Sequence, residues 1–507
     1  MFKEKIVIIG GGSAGWVSAA ILDKILDKKL YDITLIESPD IKPIGVGEST
    51  VVAVTHIFEK ILEWDEKEWM TACNATYKQG GRFVDFYKKD DSFEYPFQPS
   101  KVREPIKWFC NFYEGENTKN SFHKLCYVTP NFSEANKLTL DNGYAHHLNA
   151  DLLAEFIKKK LGDRITYEQD EVITTDFDKN GNLESVSLKK FNKKIIGDYF
   201  IDCTGFKKIL ENKEDKSEYI SFDDVLLNNQ AVTLSVPYRT QKNELQQPYT
   251  KCTGKEAGWL WDIPLYDRAS MGYVHSTNFT DTETAKKVLQ DYIVEKFNVK
   301  PSSKMFNDIR TIKFKTGYYK EAWKNNVISV GLSAGFVEPL ESTGIFLATK
   351  GALNVAHLLN NSGKNNKLKA EIFNRDMRMM WEEVRDFVLI HYIYSKRTEP
   401  YWREMKKIKN FSTELIKKVH DMTFFMVYNP DNTYRRDILF GPEGWHCIMI
   451  GMNQVPSQQV TKGYAPSHFW SEEFRKELVQ RQKEIVEEAK QAPTMSEYLD
   501  EHIYNER

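Results

Sequence analysis

The sequence predicts a mixed α/β fold over its first two thirds and a largely helical region after it. Four apolar residues, Ile6 to Ile9, run into a glycine-rich turn and then a helical segment, which is the start of a Rossmann-type unit. Two alternating segments, 171–177 and 183–188, flank Asn180-Gly181, and this pattern predicts a β-hairpin. After residue 345, apolar residues recur at spacings of three and four, which is typical of amphipathic helices.

Length, charge and cysteine usage limit the organisation and the partners. A chain of 507 residues exceeds what one simple core organises, so we expect a module over 1–350, with segments at about 55–150 inserted into it, and a mainly helical region over 351–507. The net charge of −2, without a block of like charge, indicates a small-molecule partner and neither nucleic acid nor a membrane.

The cysteines and the apolar segments indicate the compartment. No apolar stretch approaches the roughly 20 residues of a membrane span, and six cysteines and eleven histidines show no ligand spacing. We therefore expect a cytoplasmic protein without a metal, in which the cysteines are small core residues. The oligomeric state is left open, a homo-oligomer included.

The first glycine cluster, 10–15, has the form G-x-G-x-x-G between a strand and a helix. In this fingerprint the first glycine permits a tight turn, the second lets the backbone approach a pyrophosphate, and the third lets the helix pack on the strand. The second strand, 32–36, ends in Glu37 about 20 residues further on, where a carboxylate holds a ribose hydroxyl. The pattern predicts a dinucleotide site, and the alternative is a glycine loop that binds no ligand. The predicted site is formed by Gly10, Gly12, Ser13, Ala14, Gly15 and Glu37.

Two later segments distinguish FAD from NAD, which share this fingerprint. Asp202-Cys203-Thr204-Gly205 follows an extended segment, and 327–331 begins another strand-to-loop passage. Both resemble the later signatures of FAD modules of the p-hydroxybenzoate hydroxylase type, in which strands distant in sequence return to one cofactor. The resemblance implies an α/β FAD-binding module over 1–350, with Gly205, Gly331 and Leu332 at the cofactor.

The final third is expected to be helical. The polar segment 361–366 is expected to be a loop between two helices. Ser471 is expected to cap a further, charged helix. The apolar positions that predict the helix before it are Phe373, Met377, Met380, Trp381, Val384, Phe387 and Val388.

Three motifs carry a resemblance to a known enzyme family. The segment 258–264, Gly-Trp-Leu-Trp-Asp-Ile-Pro, matches a GWxWxIP signature, and 336–344 matches an FxxPxxSxG pattern. The segment 43–50, which includes GVGEST, resembles a GVGEAT loop beside a flavin. On these motifs the chain is identified as a member of the flavin-dependent halogenases of the tryptophan halogenase type, with further resemblance over nearly the whole chain.

The resemblance implies two groups of residues around the flavin. The first holds the cofactor: Gly45, Val46, Gly47, Ser49 and Thr50. The second walls the site, so that an organic substrate cannot reach the flavin directly: Trp259, Trp261, Phe336, Pro339 and Ser342. From the residues alone, the two tryptophans also fit as core residues of one strand.

The resemblance also assigns the halide site and two catalytic residues. Thr343 and Gly344 lie where a loop becomes a helix, and backbone N–H groups at a helix start bind an anion without a charged side chain. Lys78 stands where the family carries its essential lysine, although a surface lysine is the alternative reading. Glu341 matches the family's carboxylate, with helix capping as its alternative.

The family implies the reaction and the partners. FADH2 and O2 oxidise a halide to hypohalous acid, and Lys78 relays the halogen to an electron-rich aromatic such as an indole or a phenol. The reduced FAD is expected from a separate NAD(P)H-dependent flavin reductase. Alternatives are an FAD-dependent aromatic monooxygenase, which would need NAD(P)H bound to this chain, and a flavin-binding protein without turnover.

The substrate pocket departs from the family pattern. Tryptophan-specific members hold the amino acid with a tyrosine pair, a glutamate, a Phe-Trp pair and an asparagine. Counted back from Cys447, this chain has Val427-Tyr428, Arg435, Leu439-Phe440 and Gly444 at those places. Burying an ammonium and a carboxylate without partners costs several kcal/mol, so we expect a pocket that rejects free tryptophan and accepts simpler or carrier-borne arenes.

Overall fold

The computed structural model describes most of the chain as two compact units. The described residues are 3–41, 47–102, 121–140, 143–190, 193–238, 242–361, 365–407, 413–420, 439–455 and 471–505. Unit 1 comprises Met1–Ala75, Leu148–Phe222 and Lys315–Glu382. Unit 2 comprises Thr76–His147, Asp223–Phe314 and Glu383–Arg507.

The strands and helices of the described residues are numbered in chain order. The strands are β1 Glu4–Ile9, β2 Tyr31–Glu37, β3 Glu48–Ser49, β4 Thr76–Lys78, β5 Gly80–Val84, β6 Ser92–Pro96, β7 Ala145–Leu148, β8 Thr166–Gln169, β9 Val172–Phe177, β10 Leu183–Leu188, β11 Lys194–Ile196, β12 Tyr199–Asp202, β13 Tyr219–Ser221, β14 Gln230–Pro237, β15 Thr250–Lys255, β16 Gly258–Pro264, β17 Arg268–His275, β18 Arg310–Lys313, β19 Gly317–Tyr319, β20 Trp323–Lys324, β21 Val327–Ser329 and β22 Gly335–Phe336. The α-helices are α1 Ser13–Ile25, α2 Val52–His56, α3 Glu66–Ala72, α4 Ser121–Cys126, α5 Thr129–Glu134, α6 Ala150–Leu161, α7 Lys242–Leu245, α8 Thr282–Phe297, α9 Gly344–Asn361, α10 Asn366–Ile393, α11 Pro400–Lys406, α12 Thr413–His420, α13 Pro442–Gly451, α14 Glu472–Gln491 and α15 Met495–Tyr498.

Unit 1 is built on a mainly parallel sheet in the order β20-β21-β12-β1-β2-β8. Strand β1 pairs in parallel with both β2 and β12, and β12 pairs in parallel with β21. Strands from three distant parts of the sequence therefore end at one edge of the sheet, since parallel strands share a direction. This arrangement, with α1 packed against α9, confirms the predicted α/β module of the p-hydroxybenzoate hydroxylase type.

The predicted hairpin lies in the same unit. Strands β9 and β10 pair antiparallel, and Gly181 in the turn has φ +80°, a conformation that glycine adopts without strain. Asp178 closes the turn by accepting hydrogen bonds from the backbone N–H groups of Asn180 and Asn182, both at 2.8 Å. The Asn-Gly signal therefore identified the turn correctly.

Unit 2 contains a larger, mixed sheet in the order β18-β14-β17-β16-β15-β5-β6. Strand β5 pairs in parallel with β15, which joins 80–84 to 250–255 in one sheet. Helix α8 covers one face, where Leu289 and Ile293 pack on Leu260 and Met271. The units therefore do not follow the expected boundary at residue 350, because sheet pairing draws 223–314 to 76–147.

The helical region has the expected local features. Helix α10 contains the predicted apolar series, and Ser471 caps α14 by accepting a hydrogen bond from the N–H of Phe474 at 3.1 Å. The expected loop at 361–366 lies between α9 and α10, and its residues 362–364 fall outside the described residues. Within the described residues, the cysteines are buried and form no disulfide, and no group of three or more potential ligands could hold a metal. None of the helices in this part of the chain combines the length and the apolar character that a membrane span requires.

Candidate active site

The glycine turn after β1 is held by close backbone approaches. Gly10 has φ +116°, and a Cβ there would lie 2.3 Å from the carbonyl oxygen of Cys203. A Cβ on Gly15 would lie 1.8 Å from the carbonyl oxygen of Gly10. At Gly12, by contrast, no atom lies within 4 Å of such a Cβ. Gly10 and Gly15 are therefore required by the fold itself, whereas Gly12 leaves space through which a ligand can approach the backbone.

The start of α1 is suited to a phosphate group. Ser13 is the first helical residue, Gly12 is the N-cap, and the first turn contains no acidic side chain. The first N–H groups of a helix lack intrahelical acceptors and carry a partial positive charge. The turn and the helix start therefore fit a pyrophosphate, as the sequence predicts.

Glu37 lies directly over the glycine turn. A Cβ on Gly11 would lie 2.3 Å from the carboxyl carbon of Glu37, so the middle glycine makes room for this side chain. The hydroxyl of Tyr167 donates to Oε2 of Glu37 at 2.8 Å, and Lys158 lies 4.0 Å from the same oxygen. Gly11 and Tyr167 were missed from the sequence, because only the fold brings them to the predicted ribose carboxylate.

The loops after β12 and β21 return to this turn. A Cβ on Gly331 would lie 2.7 Å from Cβ of Ala14, and the N–H of Val330 donates to the carbonyl of Asp202 at 2.9 Å. Gly205 has φ +67° and open space around it. The structure thus places Ala14 and the loop containing Gly331 and Leu332 in contact within unit 1.

An aromatic pair adjoins these loops. The ring of Phe206 meets that of Phe336 edge-on at 5.7 Å between centroids, and 43% of Phe206 is exposed. Phe336 was predicted to wall the flavin, whereas Phe206 was missed. A phenylalanine immediately after the turn glycine Gly205 is the sequence signal that could have identified it.

The loop at 43–50 is described only in part. Gly45 and Val46 lie outside the described residues, Gly47 has φ +79°, and Ser49 and Thr50 are buried. Glu48, which sequence analysis did not single out, has its pKa raised to about 7 by burial and by the nearby charge of Asp151. A carboxyl whose pKa is perturbed in this way is a candidate functional group.

The segment 336–344 forms a short turn that leads into α9. Residues Pro339–Glu341 form a 3-10 turn, and Ser342 ends it with φ +60°, a left-handed conformation that serine seldom adopts. Thr343 is buried, and Gly344 begins α9 with no atom within 4 Å of a Cβ. Thr343 and Gly344, which were predicted to hold a halide, therefore lie at the start of α9, where backbone N–H groups lack intrahelical acceptors.

Two carboxylates belong to the same turn. Glu341 and Glu338 are both buried, at 5% and 1% exposure, while Pro339 between them is exposed. Glu341 was predicted as catalytic and Glu338 was not considered. Both carboxylates are therefore held away from bulk water in the turn that leads into α9.

In unit 2, Trp259 and Trp261 lie on β16 and are both buried, with ring centroids 6.4 Å apart. Side chains two residues apart on a strand share a face. Gly272 on β17 pairs with Trp261, and a Cβ there would lie 2.2 Å from the indole ring. Gly272 therefore seats Trp261 across the neighbouring strand, a role the sequence did not reveal.

The opposite face of β16 contacts helix α8. Asp262 forms an ion pair with Lys296 of α8 and accepts a hydrogen bond from Tyr292 at 3.0 Å. A cavity of about 560 Å³ lies on this face, lined in part by Lys251, Lys255 and Asp262. Because the two tryptophans point to the other face, this cavity lies on the side of the sheet away from them.

Lys78 is the last residue of β4 and is 3% exposed. Its ammonium lies 4.8 Å from the centroid of the Phe97 ring, a cation–π contact. In the antiparallel pair of β4 and β7, Lys78 stands opposite Ala145. The reading of Lys78 as a surface lysine is therefore wrong.

The predicted residues are divided between the units. Unit 1 contains the glycine turn, Glu37, Gly205, Gly331, Leu332 and the segment 336–344. Unit 2 contains Lys78, Trp259, Trp261, Leu439, Phe440 and Gly444. Val427, Tyr428 and Arg435 lie outside the described residues.

Comparisons with known proteins agree on one family. The sequence profile of the tryptophan halogenase family matches residues 5–466. The chain is 32% identical over 492 residues to the tryptophan 7-halogenase RebH of Lentzea aerocolonigenes, covering 89% of this chain and 90% of that protein.

Solved structures are similar over nearly the full length. The tryptophan 6-halogenase SttH of Streptomyces toxytricini superposes with a TM-score of 0.86 at 30% identity, covering 98% of this chain and 99% of that chain. A tryptophan halogenase from Shewanella frigidimarina gives a TM-score of 0.86 at 26% identity, covering 99% and 98% of the two chains.

The glycine turn yields a first prediction. Gly12→Val should leave the fold intact, because the position is extended and open, but should abolish FAD binding, because the side chain occupies the path of the pyrophosphate. Gly15→Ala should instead destabilise the protein by about 1–3 kcal/mol, because its Cβ meets Gly10. Thermal unfolding without FAD and fluorescence titration with FAD separate the two effects. Wild-type FAD affinity in Gly12→Val would place the cofactor elsewhere.

Glu48 yields a second prediction. Its folded-state pKa of about 7 exceeds the ordinary value of 4.5, so the folded protein retains a proton that the unfolded chain has released. Glu48 therefore lowers the free energy of unfolding increasingly as the pH rises from 4.5 to about 7, and Glu48→Gln removes this destabilisation. The melting temperature of Glu48→Gln, relative to wild type, should increase from about pH 5 to about pH 8. An offset independent of pH would contradict the raised pKa.

Proposed function

Because the chain belongs to the tryptophan halogenase family, we propose that its buried Lys78 transfers halogen from hypohalous acid to an electron-rich aromatic substrate. The enzyme is a flavin-dependent halogenase. The overall reaction is FADH2 + O2 + X− + H+ + ArH, giving FAD + ArX + 2 H2O. The observation that carries the proposal is the burial of Lys78 against Phe97, which keeps an amine away from bulk water.

The family implies FAD and a halide as cofactor and reactant. Reduced FAD, when bound, supplies the two electrons that activate O2 toward the halide. The residues that would hold FAD are the turn at 10–15, Glu37, the described part of 47–50, and the loops at Gly205 and Gly331. The backbone of Thr343 and Gly344 would hold the halide, since the free N–H groups of a helix start bind anions. A separate reductase would supply the reduced FAD.

Trp259 and Trp261 would exclude the organic substrate from the flavin. Their indole rings fill one face of β16, and Gly272 allows Trp261 to lie flat across β17. An arene that cannot reach the flavin can be attacked only by a diffusible oxidant such as HOX. This exclusion is what distinguishes a halogenase from a monooxygenase of the same fold.

Lys78 and Glu341 would share the substitution step. The amine of Lys78 donates a hydrogen bond to HOX or takes the halogen as a haloamine, and either form presents electrophilic halogen to the ring. The C–X bond then forms as the O–X or N–X bond breaks. The arenium loses its proton to the carboxylate of Glu341. On the direct route this proton converts the hydroxide that leaves HOX into water. On the haloamine route the haloamine is protonated before transfer and leaves as the neutral amine of Lys78, and the proton returned through Glu341 balances the one taken up.

Lys78→Ala is the direct test of the relay. Halogenated arene should fall at least about a hundredfold, while oxidation of reduced flavin by O2 continues. Mass spectrometry measures the product, and flavin absorbance measures oxidation. Lys251→Ala serves as the control, because Lys251 lines the cavity beside Asp262, on the face of the β16 sheet opposite Trp259 and Trp261. Normal halogenation by Lys78→Ala would refute the relay, and a hydroxylated wild-type product would favour the monooxygenase.

The substrate is proposed to be an arene other than free tryptophan, although the named relatives are tryptophan halogenases. The ring of Phe440 stacks on that of Phe387 at 3.8 Å and is buried. A Cβ on Gly444 would lie 2.6 Å from the hydroxyl of Tyr95. Tyr95 therefore occupies the space that the family's asparagine side chain would need, which supports a pocket without handles for a zwitterion.

A substrate panel tests this pocket. We expect indoles and phenols to be halogenated with a higher kcat/KM than free tryptophan, because the amino acid's charges would be buried without partners. Bromide and iodide are expected to react faster than chloride, because they are more easily oxidised. Parallel assays read by mass spectrometry measure each rate. A higher kcat/KM for tryptophan than for every indole and phenol tested would refute the proposal.

A further inference from the structure

The strand that carries Lys78 is joined to its neighbours by buried side chains. Thr76 lies two residues before Lys78 on β4, and its hydroxyl contacts the carbonyl oxygen of Pro264 at 2.5 Å. Pro264 is the last residue of the strand that carries Trp259 and Trp261. Thr76 and Pro264 therefore connect the lysine strand to the end of the tryptophan strand within unit 2.

His147 completes this connection. It stands opposite Thr76 in the pairing of β4 with β7, and its Nδ1 lies 3.1 Å from the Thr76 hydroxyl oxygen. Its Nε2 lies 2.9 Å from the hydroxyl oxygen of Thr250, the first residue of β15. All three side chains are buried. The imidazole thus bridges β4 to β15.

The direction of each hydrogen bond follows from donor counting. A carbonyl only accepts, so the single hydroxyl proton of Thr76 is directed at Pro264. The contact between Thr76 and His147 must then use an N–H of the ring, which places the proton on Nδ1. Burial, the charge of Lys78 and neighbouring His146 hold the pKa of His147 well below its ordinary value of 6.5. The ring is therefore neutral, and its Nε2 accepts from Thr250.

We propose that His147, as a neutral imidazole with its proton on Nδ1, is a positioning residue that fixes Lys78 through Thr76 and Pro264. The inference rests on the proposed function of Lys78. A histidine in this form supplies one donor and one acceptor without adding a second positive charge beside the lysine. It holds β4 in register, so that the amine emerges at a constant place relative to the tryptophan strand. In this role neither His147 nor Thr76 touches the reacting atoms.

Gln79 secures the other side of the lysine. Its N–H donates to the carbonyl of Pro248 at 2.7 Å, and its carbonyl accepts from the N–H of Phe97 at 2.9 Å. Its side-chain amide donates to the carbonyl of Thr139. Lys78 therefore lies between Thr76 and Gln79, and hydrogen bonds fix the positions of both residues. Of the two, Thr76 contacts His147.

The test compares Thr76→Val with Thr76→Ser in the full-length enzyme supplied with reduced FAD, O2, bromide and the best arene of the panel. The measured quantities are halogenated product per flavin oxidised and hypobromous acid captured by a soluble trap. Thr76→Val should lower the product ratio about tenfold or more and increase trapped acid, because small displacements of a catalytic group are costly. Thr76→Ser should restore the ratio.

Thr233→Val is the matched control. Thr233 is buried in the same unit and donates to the carbonyl of Met271 at 2.9 Å, so its loss removes an equivalent hydrogen bond away from Lys78. An equal product ratio in Thr76→Val and Thr233→Val would overturn the inference. If Thr76→Val does not fold, His147→Asn and His147→Phe decide the same question, because Asn keeps a donor near the position of Nδ1 and Phe does not.

A spectroscopic measurement is independent of turnover. With ¹⁵N-labelled histidine, the imidazole signals that disappear in His147→Phe belong to His147. Their shifts should report a neutral ring protonated on Nδ1 between about pH 6 and about pH 8. A cationic ring or the Nε2 tautomer would overturn the inference. If the wild-type enzyme gives no product that depends on Lys78, the proposed function fails, whereas these signals still decide the state of His147.

Discussion

The approach of Gly10 to Cys203 is the contact on which the rest of unit 1 depends. The carbonyl of Cys203 occupies the space that a side chain at residue 10 would need, and the N–H of Cys203 donates to Ile9 at 2.8 Å. This contact fixes β12 beside β1, and β21 follows beside β12. The loops carrying Gly205 and Gly331 are then delivered to the same edge as the glycine turn. A single steric requirement thus assembles a site from three distant parts of the chain.

The two faces of the large sheet in unit 2 carry different kinds of side chain along β16. On one face of β16, Trp259 and Trp261 form an aromatic surface that a glycine on the next strand accommodates. On the other face, Leu260 and Asp262 bind α8 through apolar packing and an ion pair. The alternation of side chains along a strand lets one short motif serve both purposes. Asp262, which lies between Trp261 and Ile263 in the motif, therefore has a structural role in this protein, because it binds α8.

Buried polar groups are concentrated where the chemistry is proposed. Glu338, Glu341, His147 and Lys78 are nearly inaccessible to solvent, and Glu48 has a pKa shifted to about 7 by its surroundings. Such groups lower stability unless they are well partnered, so their presence in one turn and on three strands reflects a requirement other than folding. His147 shows how such a group is buried: as a neutral ring it donates a hydrogen bond to the hydroxyl of Thr76 and accepts one from Thr250, without introducing charge.

The sequence by itself determined the glycine turn, the Asn-Gly hairpin, the Ser471 helix cap and the enzyme family, because each depends on residues close together in the chain. It also predicted Lys78 and Glu341 as catalytic residues, through the family resemblance. Only the tertiary structure decided that Gly11 makes room for Glu37, that Gly272 seats Trp261, and that residues 223–314 join the sheet of residues 76–147. The network of Thr76, His147, Thr250 and Pro264 likewise joins four segments separated by up to nearly 190 positions. Local patterns carry no information on such pairs, because they are set by strand register and by the direction of each buried side chain.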